Sequence, residues 1–170
     1  MLFSDKELNL EIPKVMGIIN LTPDSFSDGG RFISKKNSKV DVSKVLREIE
    51  KMEKSGAAFI DIGAESTHPN SLRISVQEEL DRLMPILEEI KNIESVVSID
   101  SSKGEVIFEA IKNGVDLVND INSLEDEKAF ELVKKHNLPI CIMHKNENLL
   151  KNPICIEIEK FFFKKLEELI

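Results

Sequence analysis

Polar side chains able to accept hydrogen bonds or bind ions recur at one kind of place in this chain, directly after short apolar runs. Asn20 follows Val15 to Ile19, Asp61 and Glu65 flank the end of Phe59 to Ile62, and Asp100 follows Val96 to Ile99. Asn119 and Asp120 follow Leu117 and Val118, and His144 follows Pro139 to Met143. Acceptors on neighbouring strand ends, such as Asp100 and Asn119, suit a flat heterocycle that offers adjacent N–H groups. The same two residues equally suit caps of the turns into the following helices. His136 reads as a helix-end charge, and His144 is open to either role.

Two connecting segments are unusually rich in chemistry. Asn20 to Gly30 reads NLTPDSFSDGG, too long and polar for a minimal connection. Pro23 and Asp24 encode a turn, Gly29 and Gly30 permit unusual dihedrals, and Phe26 needs a partner, which together describe a binding loop. Asp61 to Asn70 reads DIGAESTHPN, in which Thr67 is either a helix cap or a ligand contact and His68, taken alone, reads as a polar loop residue. Neither GxGxxG nor GxxxxGK[ST] occurs, so no nucleotide fingerprint is present.

The elements that must position these groups alternate in type. The five apolar runs suit strands buried on both faces. Val42, Val45, Leu46, Ile49 and Met52 share one helical face, with Gly56 as its stop. Ser75 with Glu78 is a capping box opening a helix to Ile90 that Pro85 should bend. Ser102 with Glu105 repeats the device ahead of a helix that Gly114 closes, and Ser123 is the expected cap of another reaching Lys135. A fifth amphipathic segment spans Ile158 to Leu169. Five such βα units imply right-handed crossovers and a parallel sheet, either doubly wound or part of a (β/α)8 barrel, and both architectures build sites at the carboxyl ends of their strands.

Composition narrows the classes. The 170 residues are 41% hydrophobic and 32% charged, as in a globular protein, and carry a formal charge of -8, which disfavours nucleic acid. No apolar run approaches the ~18 residues of a membrane span. Met1 to Lys14 lacks the pattern of an export signal, so a cytoplasmic address is expected. Cys141 and Cys155 have no metal-ligand spacing and read as reduced thiols.

Taken in order, NLTPDSFSDGG, DIGAESTHP, SIDSSKGEV and LVNDI resemble the motifs of dihydropteroate synthase, and the resemblance covers nearly the whole chain from about Val15. It implies an α/β fold of the (β/α)8 TIM-barrel type with about the first five βα units present. Residues 1–170 are then the amino-terminal part of a pterin-binding domain lacking its last three units. The implied activity is transfer: the amine of p-aminobenzoate displaces diphosphate from 6-hydroxymethyl-7,8-dihydropterin diphosphate, with Mg2+ as cofactor and sulfonamides competing for the aminobenzoate site.

By motif position, Asp100 and Asn119 would hydrogen-bond the pterin and Met143 would line its pocket, with Asp100 also stabilising positive charge at the methylene carbon. Asn20 would lie at the magnesium and diphosphate end. Phe26, Thr67, His68 and Pro69 would border the diphosphate and aminobenzoate side, and Asp28 would order the first loop. His68 stands where the family usually has arginine, which predicts weaker, pH-sensitive anion binding. Lys145 to Glu147 replace a methionine-containing turn. The family's later aspartate, lysine, arginine and histidine have no counterpart between Lys103 and Ile170.

The chain alone is therefore expected to lack full synthase activity, and its open sheet edges predict a homodimer or a complementing chain. A non-catalytic remnant or pterin-binding subunit is the alternative. A pterin-dependent methyltransferase domain is more distant, disfavoured by NLTPDSFSDGG, Thr67 and Pro69.

Overall fold

Side-chain alternation explains how the sheet is built. In a strand, successive residues face opposite sides, and residues in register on neighbouring strands face the same side. Ile19, Ile62, Ile99, Val118 and Ile140 form one continuous row across five parallel strands. The first four of these are fully buried beneath helices. This computed structural model describes residues 1–23, 31–34, 39–66, 71–144 and 153–170.

A two-stranded hairpin, β1 (Leu2–Phe3) and β2 (Lys6–Glu7), precedes the repeating units β3 (Val15–Asn20), α1 (Val42–Lys54), β4 (Ala57–Gly63), α2 (Val76–Leu87), β5 (Val96–Asp100), α3 (Gly104–Lys112), β6 (Leu117–Asp120), α4 (Glu127–His136), β7 (Ile140–Ile142) and α5 (Ile154–Leu169). The sheet order is β3-β4-β5-β6-β7, all parallel. Spacing in the sequence left a doubly wound sheet open, but that fold reverses its strand order and covers both faces with helices. Here the order never reverses. The large core of Ile19, Val45, Ile49, Ile60, Ile62, Leu83, Ile99, Ile107 and Val133 lies between the sheet and the helices on one face, as in the wall of a barrel.

The opposite face changes character from bottom to top. At the amino ends of the strands, Met16, Phe59 and Val96 are in register, and Phe59, Val96 and Leu117 join Phe3 of the hairpin in a second core. Phe3 packs edge-on against Phe59 with ring centroids 5.2 Å apart. Lys6 clamps the hairpin there by donating to Ser95 O and Asp116 Oδ2, each at 2.8 Å. The next row up mixes Ile18, Asp61, Ser98 and Leu117, and the top row is Asn20, Gly63, Asp100, Asn119 and Cys141.

Several helix ends follow the sequence. Ser75 Oγ accepts from Glu78 N at 3.1 Å, and Gly56 and Gly114 follow α1 and α3 with φ of +91° and +82°, the left-handed region that glycine tolerates best. Two expected caps are corrected. Lys103, not Ser102, precedes α3, and no side chain caps it. Asp126, not Ser123, caps α4, accepting from Ala129 N at 2.9 Å. Ser102 and Ser123 instead donate to Asp120 Oδ1 and Met143 O. The reason is that an acceptor 18 or 20 residues away in the chain but adjacent in space engages each hydroxyl in place of the local N–H. Helix α2 runs through Pro85 but ends at Leu87, short of Ile90.

Candidate functional site

The carboxyl ends of the strands deliver Asn20, Asp100 and Asn119 to one face in one row, about 4.8 Å apart per strand. Gly63 sits between Asn20 and Asp100. A Cβ there would approach Asp100 Oδ2 to 3.0 Å and Asp100 Cβ to 3.2 Å, so the missing side chain is the space into which Asp100 leans. The neighbouring cavity, about 670 Å³, is lined among others by Glu65, Arg73, Asp100, Lys103, Ile121 and Met143.

Beneath the top row lies a buried polar cluster. Ser98 Oγ donates to Asp61 Oδ1 at 2.5 Å, and Asn119 Nδ2 donates to Asp61 Oδ2 at 3.1 Å. Ser98 is fully buried and Asp61 nearly so. Burial pushes the Asp61 carboxyl above its ordinary range, opposed by the hydrogen bonds from Ser98 and Asn119. Asp61 had stood out as polarity at a strand end. The signal for Ser98 was a hydroxyl inside VVSID, two residues before Asp100 and hence on its face.

A third group ties two loops together. Lys103 Nζ donates to Glu65, to Glu79 Oε2 at 2.6 Å and to Ile74 O at 2.9 Å. Glu79 is only 1% exposed, and its Oε1 has no hydrogen-bond partner among the described residues. Burial alone would lower the Lys103 pKa, but its bonds to Glu65 and Glu79 and their charges outweigh that and raise it. Asp120, fully buried, holds the β6–α4 turn by accepting from Asn122 N at 2.8 Å and Leu124 N at 2.7 Å as well as from Ser102. Asp120 is therefore the capping group of that turn, a role open to Asn119 from sequence alone.

The electrostatics of this rim are negative. Asp100 is pushed up to about 7, first by burial and then by the charges of Asp61, Glu79, Asp120 and Glu65. The Cys141 thiol is pushed up by burial and by Asp61 and Asp100. A neutral ring with N–H donors, or a cation, is the ligand such a rim accepts at least electrostatic cost.

Of the nine residues singled out, Asn20, Asp100 and Asn119 share the top row and Met143 lines the cavity. Phe26, Asp28, Thr67, His68 and Pro69 lie outside the described residues. His144 packs edge-on against Phe161 of α5, centroids 5.1 Å apart, away from any role as an isolated loop group. His136 ends α4 with Lys134 and Lys135, as its helix-end reading requires. Among the described residues no group of three His, Cys, Asp or Glu could enclose a metal.

Comparison with known proteins gives a consistent result. A family described as pterin binding enzyme matches residues 16–169. The dihydropteroate synthase of Haemophilus influenzae is 47% identical over 142 residues, 83% of this chain and 49% of the relative, and that of Escherichia coli K12 is 45% identical over 83% and 48%. The chain spans about half the length of these curated relatives. A crystal structure of Yersinia pestis dihydropteroate synthase with a sulfonamide drug complex superposes with a TM-score of 0.85 at 38% identity, covering 99% of this chain and 62% of that one. The Xanthomonas albilineans synthase with 4-aminobenzoic acid gives 0.81 at 30% identity, covering 98% and 59%.

Proposed function

The chain belongs to the pterin-binding enzyme family, and from that membership we propose that it supplies the amino-terminal share of a dihydropteroate synthase barrel, including part of the pterin subsite. The observation that carries this reading is a pair of in-register acceptors, the Asp100 carboxyl, which lines the same cavity as Met143, and the Asn119 amide on the neighbouring strand.

The amino-pyrimidinone edge of a pterin offers neighbouring N–H donors, which a carboxylate and an amide oxygen satisfy together. An analogue lacking those donors leaves both acceptors desolvated and unpaired, which is how such a site discriminates. Because free Asp100 titrates near 7, a ligand donating to its charged form draws the carboxyl toward ionisation. In the transfer itself the aminobenzoate nitrogen forms a bond to the methylene carbon, the carbon–oxygen bond breaks, diphosphate leaves with the electron pair and the amine loses a proton to solvent. An ionised Asp100 near the ring would favour positive charge developing at that carbon.

Asn20 offers a single amide oxygen at the strand end. That suits Mg2+, which keeps several waters and takes few protein ligands when substrate phosphates supply the rest. Bound there, the ion would neutralise charge on the departing diphosphate. Phe26, Asp28, Thr67, His68 and Pro69 would border the diphosphate and p-aminobenzoate, in a protein whose relatives include one crystallised with 4-aminobenzoic acid.

Two measurements test the proposal. Calorimetric titration with a pterin should give saturable heat that Asn119→Leu abolishes. Dihydropteroate formation should be weak or absent with this chain and rise when a segment providing three further βα units is joined to it. A chain that binds no pterin in either form would defeat the reading.

A further inference from the structure

We infer that Asp61 is a positioning residue that locks the Asn119 carboxamide with its oxygen toward the ligand, and so makes this subsite select rings bearing a hydrogen-bond donor over rings bearing an acceptor there. The inference rests on the pterin reading of the site and adds a determinant of its specificity.

An asparagine amide is nearly symmetric in shape but opposite in chemistry at its two ends, so something must choose which end meets the ligand. Asp61 makes that choice. Its carboxylate can only accept, and one oxygen is already occupied by Ser98 Oγ at 2.5 Å. The other takes Asn119 Nδ2 at 3.1 Å. Turning the amide over would set two acceptor oxygens against each other beside a carboxylate that is only 5% exposed, and repulsion at such a dry site is strong. The Asn119 side-chain Oδ1 takes no hydrogen bond from the described residues and is not among their buried, unpartnered atoms. It is therefore available at the rim beside Asp100, its neighbour in register.

Replacing the carboxylate by an amide removes the choice. In Asp61→Asn the new side chain still accepts from Ser98 through its oxygen while its NH2 donates to Asn119, which turns the Asn119 amide and presents a donor to the ligand. Ser98→Ala removes one donor from Asp61 yet leaves the Asn119 lock in place.

The probes are pterin, with its 2-amino donor, and lumazine, with an acceptor oxygen in its place, titrated calorimetrically into the chain and both variants. The wild-type chain and Ser98→Ala should prefer pterin, and in Asp61→Asn the ratio of the two affinities should narrow about tenfold or more with the circular dichroism unchanged. Equal weakening of both ligands in Asp61→Asn would make Asp61 merely structural and overturn the inference. Should that variant fail to fold, the side-chain NH2 resonances of Asn119 in the wild-type chain decide: small shifts on adding pterin support the lock, and large shifts place the NH2 against the ligand and overturn it. Absence of heat with either ring in the wild-type chain would instead remove the pterin reading, and this inference with it.

Discussion

Asp100 leans into the space left by Gly63: a methyl group on Gly63 would stand 3.0 Å from Asp100 Oδ2, closer than side chains comfortably approach. One residue with no side chain thus leaves the room in which the Asp100 carboxyl points.

Gly63→Ala is accordingly expected to damage binding more than folding. The added methyl must displace the Asp100 carboxyl, costing about 1 kcal/mol in stability by overpacking while lowering pterin affinity about tenfold. Denaturant unfolding and calorimetry on the same preparation check the two effects, and an unchanged affinity would mean that Asp100 does not contact the ligand.

The titration of Asp100 makes stability depend on pH in a definite direction. Its carboxyl binds a proton near pH 7 in the folded chain against an ordinary value of 3.8. The folded state therefore holds the proton more tightly, and the stabilisation present below about pH 4 is lost as pH rises through 7. Asp100→Asn should leave the melting temperature little changed at pH 4 and raise it by about 3–6 °C at pH 8, a gain on the order of 1–2 kcal/mol. Scanning calorimetry across that range tests it.

The same carboxyl should make pterin binding pH-dependent. A ligand that donates to the ionised form competes with the proton, so affinity should fall about tenfold per unit once pH drops below the free Asp100 value. Titrations in buffers of different ionisation heat should show proton release on binding near pH 6.5, and Asp100→Asn should abolish it.

Lys103 neutralises two carboxylates, of which Glu79 is 1% exposed. Lys103→Met strands that buried charge and should cost about 3 kcal/mol. Combining it with Glu79→Gln should recover part of the loss, since the remaining group is neutral. Urea unfolding of the single and double variants gives the comparison.

The bottom of the sheet should behave oppositely to its top. Phe3→Ala removes the ring packed on Phe59 and should cost about 3 kcal/mol. Pterin affinity at the other end of the strands should not change, and a large loss there would mean that the hairpin reaches the site.

Much of this protein is legible locally. Alternation of apolar runs with amphipathic segments predicts each βα unit, because burial of one helical face leaves its period in the chain and a central strand leaves a short apolar run. The placement of Asn20, Asp100 and Asn119 just after apolar runs puts them at the carboxyl ends of strands, and the long loop motifs carry the family resemblance. Cap assignment was less secure. Ser102 and Ser123 have the right local spacing, yet their hydroxyls go to Asp120 and Met143, which only proximity in space could reveal.

What the amino-acid order determined by itself was the kind and succession of elements and the chemistry gathered at one end of them. The tertiary structure alone decided that the strand order never reverses, that the first residues form a plug under Phe59, and that Asp61 grips Asn119 across 58 positions of chain. Local pattern records how a residue meets water. It carries no trace of which distant residue will stand opposite, because that follows from strand register and from how the helices pack on the sheet.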